Sequence, residues 1–85
     1  MTVERIKIDE TTYLERSSEG YTIFNTALGI PLIVTDAPFE RLKKDADYAG
    51  FIARGLRGLK VVDSEVGKRL LEMAREIESM AGDSN

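Results

Sequence analysis

The chain has 85 residues, 12 basic and 15 acidic, for a formal net charge of −3, and it contains neither histidine nor cysteine. That composition excludes a disulfide framework, thiolate or imidazole zinc sites, haem held by His or Cys, and Ser-His or Cys-His nucleophiles. It also gives no general attraction to nucleic acid or to an anionic membrane. The length predicts one domain, residues 1–85, whose folding buries only roughly 60–65% of the unfolded surface, so a deep internal pocket would weaken a small core.

Taken from the start, Met1-Thr2-Val3-Glu4-Arg5-Ile6 alternates charged or polar with apolar residues. It reads as neither a signal peptide nor a membrane span, and a cytoplasmic location is expected. Val3–Ile8, Thr11–Ser17, Tyr21–Thr26 and Ile30–Thr35 then read as strands, with Pro31 near the start of the fourth, where a missing N–H is best tolerated. Ser18-Glu19-Gly20 and Ala27-Leu28-Gly29 each place Gly third in a three-residue link, the position that a type I turn closed by a left-handed residue requires. Two such hairpins predict an antiparallel meander. The register that follows sets Leu14 opposite Phe24 and Phe24 opposite Leu32. Arg16, Thr22 and Val34 form the next row of that face, and Thr12, Thr26 and Ile30 the row on its other side. A slip of one residue would exchange the two faces.

The second half reads as helix. Asp36 is the expected cap of a first helix with Pro38 in its first turn. Phe39, Leu42, Ala46, Ala49, Ile52 and Leu56 recur at three- or four-residue spacing. Asp45, Asp47 and Gly50 interrupt this pattern, so two helices, about 37–44 and 46–57, compete with one bent helix. Leu59–Val62 reads as a brief extended segment. Asp63 caps a last helix over 64–80, whose stripe is Val66, Leu70, Met73, Ile77 and Met80. The stripe is too short for a coiled coil on its own and is expected to pack on the sheet. The tail 81–85 is small and polar and is expected to be disordered. The predicted class is therefore α+β: an antiparallel meander of three to four strands, about 3–35, followed by two to three helices, about 37–80, packed on the sheet. Its expected core is Leu14, Phe24, Ile30, Leu32, Val34, Phe39, Leu42, Ile52, Leu56, Leu70, Met73 and Ile77.

Three sets of residues are candidates for function. On the predicted register the reverse sheet face carries Tyr13, Tyr21, Ile23 and Ile33. A solvated antiparallel face would be polar there, so these four are either ordinary core, a homodimer surface, or a docking site for a protein or peptide partner. Lys43, Lys44, Arg54, Arg57 and Lys60 form a dispersed basic set that would serve anion or nucleic-acid binding, though bases near a helix C-terminus also have a purely local rationale. The closest carboxylates, Asp9-Glu10, Asp45/Asp47 and Glu76/Glu78, match neither a calcium loop nor a glycosidase pair set in a cleft. No enzyme, metal site or cofactor is expected. The leading expectation is a non-catalytic interaction module, such as an adaptor, inhibitor or regulatory subunit.

The stretch Tyr21-Thr-Ile-Phe-Asn-Thr-Ala-Leu-Gly-Ile-Pro-Leu-Ile-Val-Thr-Asp-Ala-Pro-Phe-Glu-Arg-Leu resembles the small winged-helix domains that bind leader peptides in peptide-modifying pathways. There, too, a turn with Asn or Gly precedes an apolar strand and then a helix. The resemblance covers about half the chain, rests on pattern, and implies a sheet edge to which a peptide adds as a strand. The chain departs from that pattern by an extra N-terminal strand, which would occupy the edge such a peptide uses.

Overall fold

Four strands and then three helices form in the computed structural model, which describes residues 2–83. They are β1 (Glu4–Lys7), β2 (Thr12–Arg16), β3 (Gly20–Asn25), β4 (Leu32–Pro38), α1 (Phe39–Lys44), α2 (Ala46–Gly58) and α3 (Ser64–Asp83). The α+β class and the antiparallel meander are as expected, with strand order β1-β2-β3-β4. The chain divides between Pro38 and Phe39 into two compact units, the sheet and the helices.

In the sheet, the turn between β1 and β2 is built on Asp9. Its carboxylate accepts the N–H groups of Thr11 (2.9 Å) and Thr12 (2.8 Å), a turn that Asp forms readily because its short side chain reaches the backbone two residues on. The Thr11 amide foremost holds the Asp9 carboxyl below its ordinary pKa. A depressed folded pKa means that the turn's contribution is present above the unfolded pKa and is lost as pH falls through the folded one. We expect the Thr11 and Thr12 amide resonances to titrate together at a pH below that of a free aspartate. Titration at the ordinary aspartate value would show that the carboxylate does not hold the turn.

The register corrects the expected one. Leu14 pairs with Ile23, and Tyr13 with Phe24. The reason lies at Gly20, which has a positive φ of 150°, a conformation open to glycine but not the left-handed turn position expected, and which begins β3. The Ser17 N–H donates to the Gly20 carbonyl at 2.9 Å, so only Ser18 and Glu19 remain at the tip. One loop residue fewer moves the register by one and exchanges the faces. The next loop is longer than expected. Gly29 does take the left-handed conformation (φ 82°) and its N–H donates to the Thr26 carbonyl at 3.0 Å, but β4 begins only at Leu32. Asn25 pairs with Leu32 and Phe24 with Ile33; a bulge then brings Thr35 opposite Ile23 and leaves Val34 as the extra residue. Asp36, expected as a helix cap, lies in β4 opposite Thr22, whose hydroxyl donates to it at 3.2 Å.

All the buried apolar residues of the sheet lie on one face. Ile6 is opposite Leu14 and Leu14 opposite Ile23, while Tyr21 lies between Arg16 and Ala37. Ile6, Leu14, Tyr21 and Ala37 are buried. Phe24, expected beside Leu14, belongs to the other face.

In the helical unit, the break falls at Asp45, so the two-helix alternative holds. Its backbone is extended and its carboxylate accepts the Tyr48 N–H at 3.0 Å, a cap that starts α2. Asp63 caps α3 as expected, accepting from the Glu65 N–H at 2.9 Å. Between them Leu59 is extended. The helix α3 continues to Asp83; of the tail read at 81–85, Ser84 and Asn85 lie outside the described residues. α2 packs along α3, and α1 touches both. Their core is Leu42, Ala49, Ile52, Ala53, Leu56, Leu70, Met73, Ala74 and Ile77. The expected helical stripe thus supplies core at Leu70, Met73 and Ile77, while Val66 and Met80 are half-buried. Of the other expected core residues, Phe24 and Phe39 are half-buried.

Candidate functional site

The shifted register divides the four residues expected to share one patch. Tyr21 and Ile23 lie on the face of Leu14, and Tyr21 is buried, with the Arg16 Nε donating to its hydroxyl at 3.3 Å. Tyr13 and Ile33 lie on the opposite face, where Phe24 stands between them. The Tyr13 and Phe24 rings stack at 5.0 Å between centroids. The Arg5 guanidinium lies 4.9 Å from the Tyr13 centroid while its Nη2 pairs with Glu15 Oε2 at 2.6 Å. This face therefore has one polar row, Arg5, Glu15, Thr22 and Asp36, and one aromatic row that ends on β4 at Ile33.

The row leads to the most exposed apolar surface of the sheet. Leu28 is 78% exposed, Ile30 58%, Leu32 42%, Ile33 63% and Val34 62%. Three of these, Ile30, Leu32 and Val34, were expected in the core. The correction has a simple cause. β4 is the last strand of the meander and has a strand neighbour on one side only. The bulge at Val34 breaks the alternation that would turn every second side chain inward. No residue from Tyr21 to Thr35 is charged. Natural edge strands are usually blunted by charges, prolines or bulges, because their outer N–H and C=O groups invite another strand. Here Pro31 and the bulge flank Leu32 and Ile33, and the first charge along the strand is Asp36. The position of Pro31 at a strand start and the uncharged run were the signals in the sequence for an edge; burial was the wrong inference from apolar composition.

The basic set lies entirely in the helical unit and is partly neutralised. Lys44 pairs with Glu40 at 3.1 Å and Arg57 with Glu78. Hydrogen bonding between them raises the Arg57 pKa and lowers that of Glu78. Lys43 lies in the last turn of α1, Arg54 lies over Gly50 within α2, and Lys60 follows α2; all three are exposed. The five do not make an uninterrupted cationic surface. An open groove of about 340 Å³ at the β1–β2 turn is lined by Arg5, Lys7, Asp9 and Tyr13, among others. Its charges are engaged: Arg5 with Glu15, Lys7 with Glu10 at 4.0 Å, and Asp9 with the turn amides. Among the described residues, no helix is long and apolar enough to cross a membrane.

No family model, curated protein or solved structure matches the chain. The likeness to leader-peptide-binding winged-helix domains therefore rests on pattern alone.

Proposed function

We propose that the chain is a non-catalytic protein-interaction module that binds an extended segment of polypeptide along the β4 edge. The observation that carries this reading is the run of five exposed apolar side chains, Leu28 and Ile30 in the loop before β4 and Leu32, Ile33 and Val34 in the strand, with Asp36 the first charge along that edge. Main-chain hydrogen bonds to the outer edge of β4 would supply affinity, and Ile33 with the adjoining Phe24 and Tyr13 rings would supply an apolar surface for alternate side chains of the added strand. A cytoplasmic setting goes with this reading, since the chain has no cysteine to stabilise it in an oxidising compartment. Nucleic acid is a poor partner for a chain of net charge −3 whose basic residues are partly paired with carboxylates.

Selection of displayed random peptides against the folded chain tests the proposal. The expected result is a set of peptides with alternating apolar residues that bind the native chain and lose at least tenfold in affinity to Ile33→Lys. Peptides that bind both equally, or no selected peptide at all, would overturn it.

A further inference from the structure

Building on that reading, we infer that the strand accepted by the β4 edge is a second copy of β4, with two chains joined antiparallel about a two-fold axis close to Ile33. A two-fold contact places one surface against itself, so it requires a patch that is self-complementary. The β4 edge meets that requirement. Its centre, Leu32-Ile33-Val34, is apolar, and the first charged residue along the strand is Asp36. In an antiparallel pair centred at Ile33, the two Asp36 residues lie six residues apart along the strands, about 20 Å. That is about two and a half times the screening length of about 8 Å at physiological salt, so they do not oppose association. A parallel pair would bring the two carboxylates side by side.

The exposed apolar residues of the strand itself are Leu32, Ile33 and Val34, and Leu28 and Ile30 of the preceding loop adjoin them. A foreign partner would need chemistry to be selected by, and the edge offers it no charge from Tyr21 to Thr35. What the edge does match is its own sequence. The bulge at Val34 limits ladder bonding to a short stretch around Ile33, so the association would depend largely on side-chain burial. The product would be one continuous eight-stranded sheet in which neither β4 remains an edge.

Light scattering behind size-exclusion chromatography, over a concentration series, tests the inference. The expected mass rises from that of one chain, 9.5 kDa, toward twice that value. Ile33→Lys should hold the chain monomeric at every concentration with its far-ultraviolet circular dichroism unchanged. Val34→Lys, at the bulge, provides an independent variant should the first fail to fold. Because the chain has no cysteine, Ile33→Cys introduces a single thiol. A short bis-maleimide should join two such chains at high yield and leave Leu71→Cys, on α3, largely uncoupled. A native chain that stays monomeric throughout would overturn the second-copy inference, and the peptide selection would then decide separately whether the edge takes a different strand. A dimer that survives both lysine variants and is not coupled at position 33 would place self-association elsewhere and overturn the inference outright.

Discussion

Leu14→Ala should remove about 2–5 kcal/mol of folding stability, a large part of the roughly 4–13 kcal/mol expected of 85 residues. Leu14 is fully buried at the middle of β2, with Ile6 opposite on one side and Ile23 on the other. Truncation removes three carbon groups, about 2.4 kcal/mol of transfer free energy at about 0.8 per group, before any cavity is counted. The hydrogen-bonded neighbours β1 and β3 limit how far the site can collapse, so the cavity term adds to this. Thermal unfolding followed by circular dichroism should show the midpoint falling by at least about 10 °C. A fall of under about 5 °C would mean that Leu14 is not a centre of the sheet's core.

The same experiment on Phe24 separates the observed register from the one expected. If Phe24 and Leu14 shared a buried face, Phe24→Ala would be the more damaging change, since the larger side chain leaves the larger cavity. In the structure Phe24 is half-buried and its ring stacks on that of Tyr13, and stacking of that kind contributes about 0.5–1.5 kcal/mol. Phe24→Ala should therefore cost less than Leu14→Ala. The reverse order would restore the one-residue shift.

That inversion explains which parts of the architecture could be read from the residues alone. Strand and helix segments follow from local periodicity and turn chemistry, and most of these formed near their expected bounds. The helix caps at Asp45 and Asp63 depend only on residues within three positions. The faces of the sheet depend on something finer, the number of residues at a hairpin tip. A glycine following two polar residues is compatible with both a left-handed turn position and a closing pair at a larger positive φ. Gly20 takes the second, and the Ser17 hydroxyl, which accepts the Glu19 N–H at 3.2 Å, holds the tip in that form. Nothing in Ser18-Glu19-Gly20 considered alone decides between them.

The candidate site was legible to a similar degree. Ile33 and Tyr13 were marked by the excess of apolar residues over what a solvated sheet face needs, and both remain on the exposed face with Phe24. Tyr21 and Ile23 were marked by the same count and lie with Leu14. Ile30, Leu32 and Val34 belong to the expected core because apolar residues in a strand normally alternate into it, but Ile30 lies in the loop before β4. The alternation fails in β4 because the strand is terminal and bulged, and both properties belong to pairing rather than to composition. The edge surface is thus a tertiary fact, written in the sequence only as a long uncharged run.

Within the helices the expected cost of truncation depends on position around one helix. Ile77→Ala should cost about 2–5 kcal/mol, while Leu71→Ala should change stability by no more than about 0.5 kcal/mol. Ile77 has no exposed surface and follows Leu70, Met73 and Ala74 along the buried stripe of α3, whereas Leu71 is 45% exposed on the same helix. Helical propensity does not separate the pair in the required direction, because Ile→Ala improves it and so offsets part of the loss. A large fall at Ile77 would therefore reflect packing alone. The helical core leaves little room to adjust: Ala49, Ala53 and Ala74 are wholly buried, as expected where helices approach closely, and a cavity lined by such short side chains cannot be filled by their rotation. If Ile77→Ala and Leu71→Ala shifted the thermal midpoint equally, the stripe would not be the packed face of α3, and the period from Leu70 to Ile77 would have to serve a surface instead.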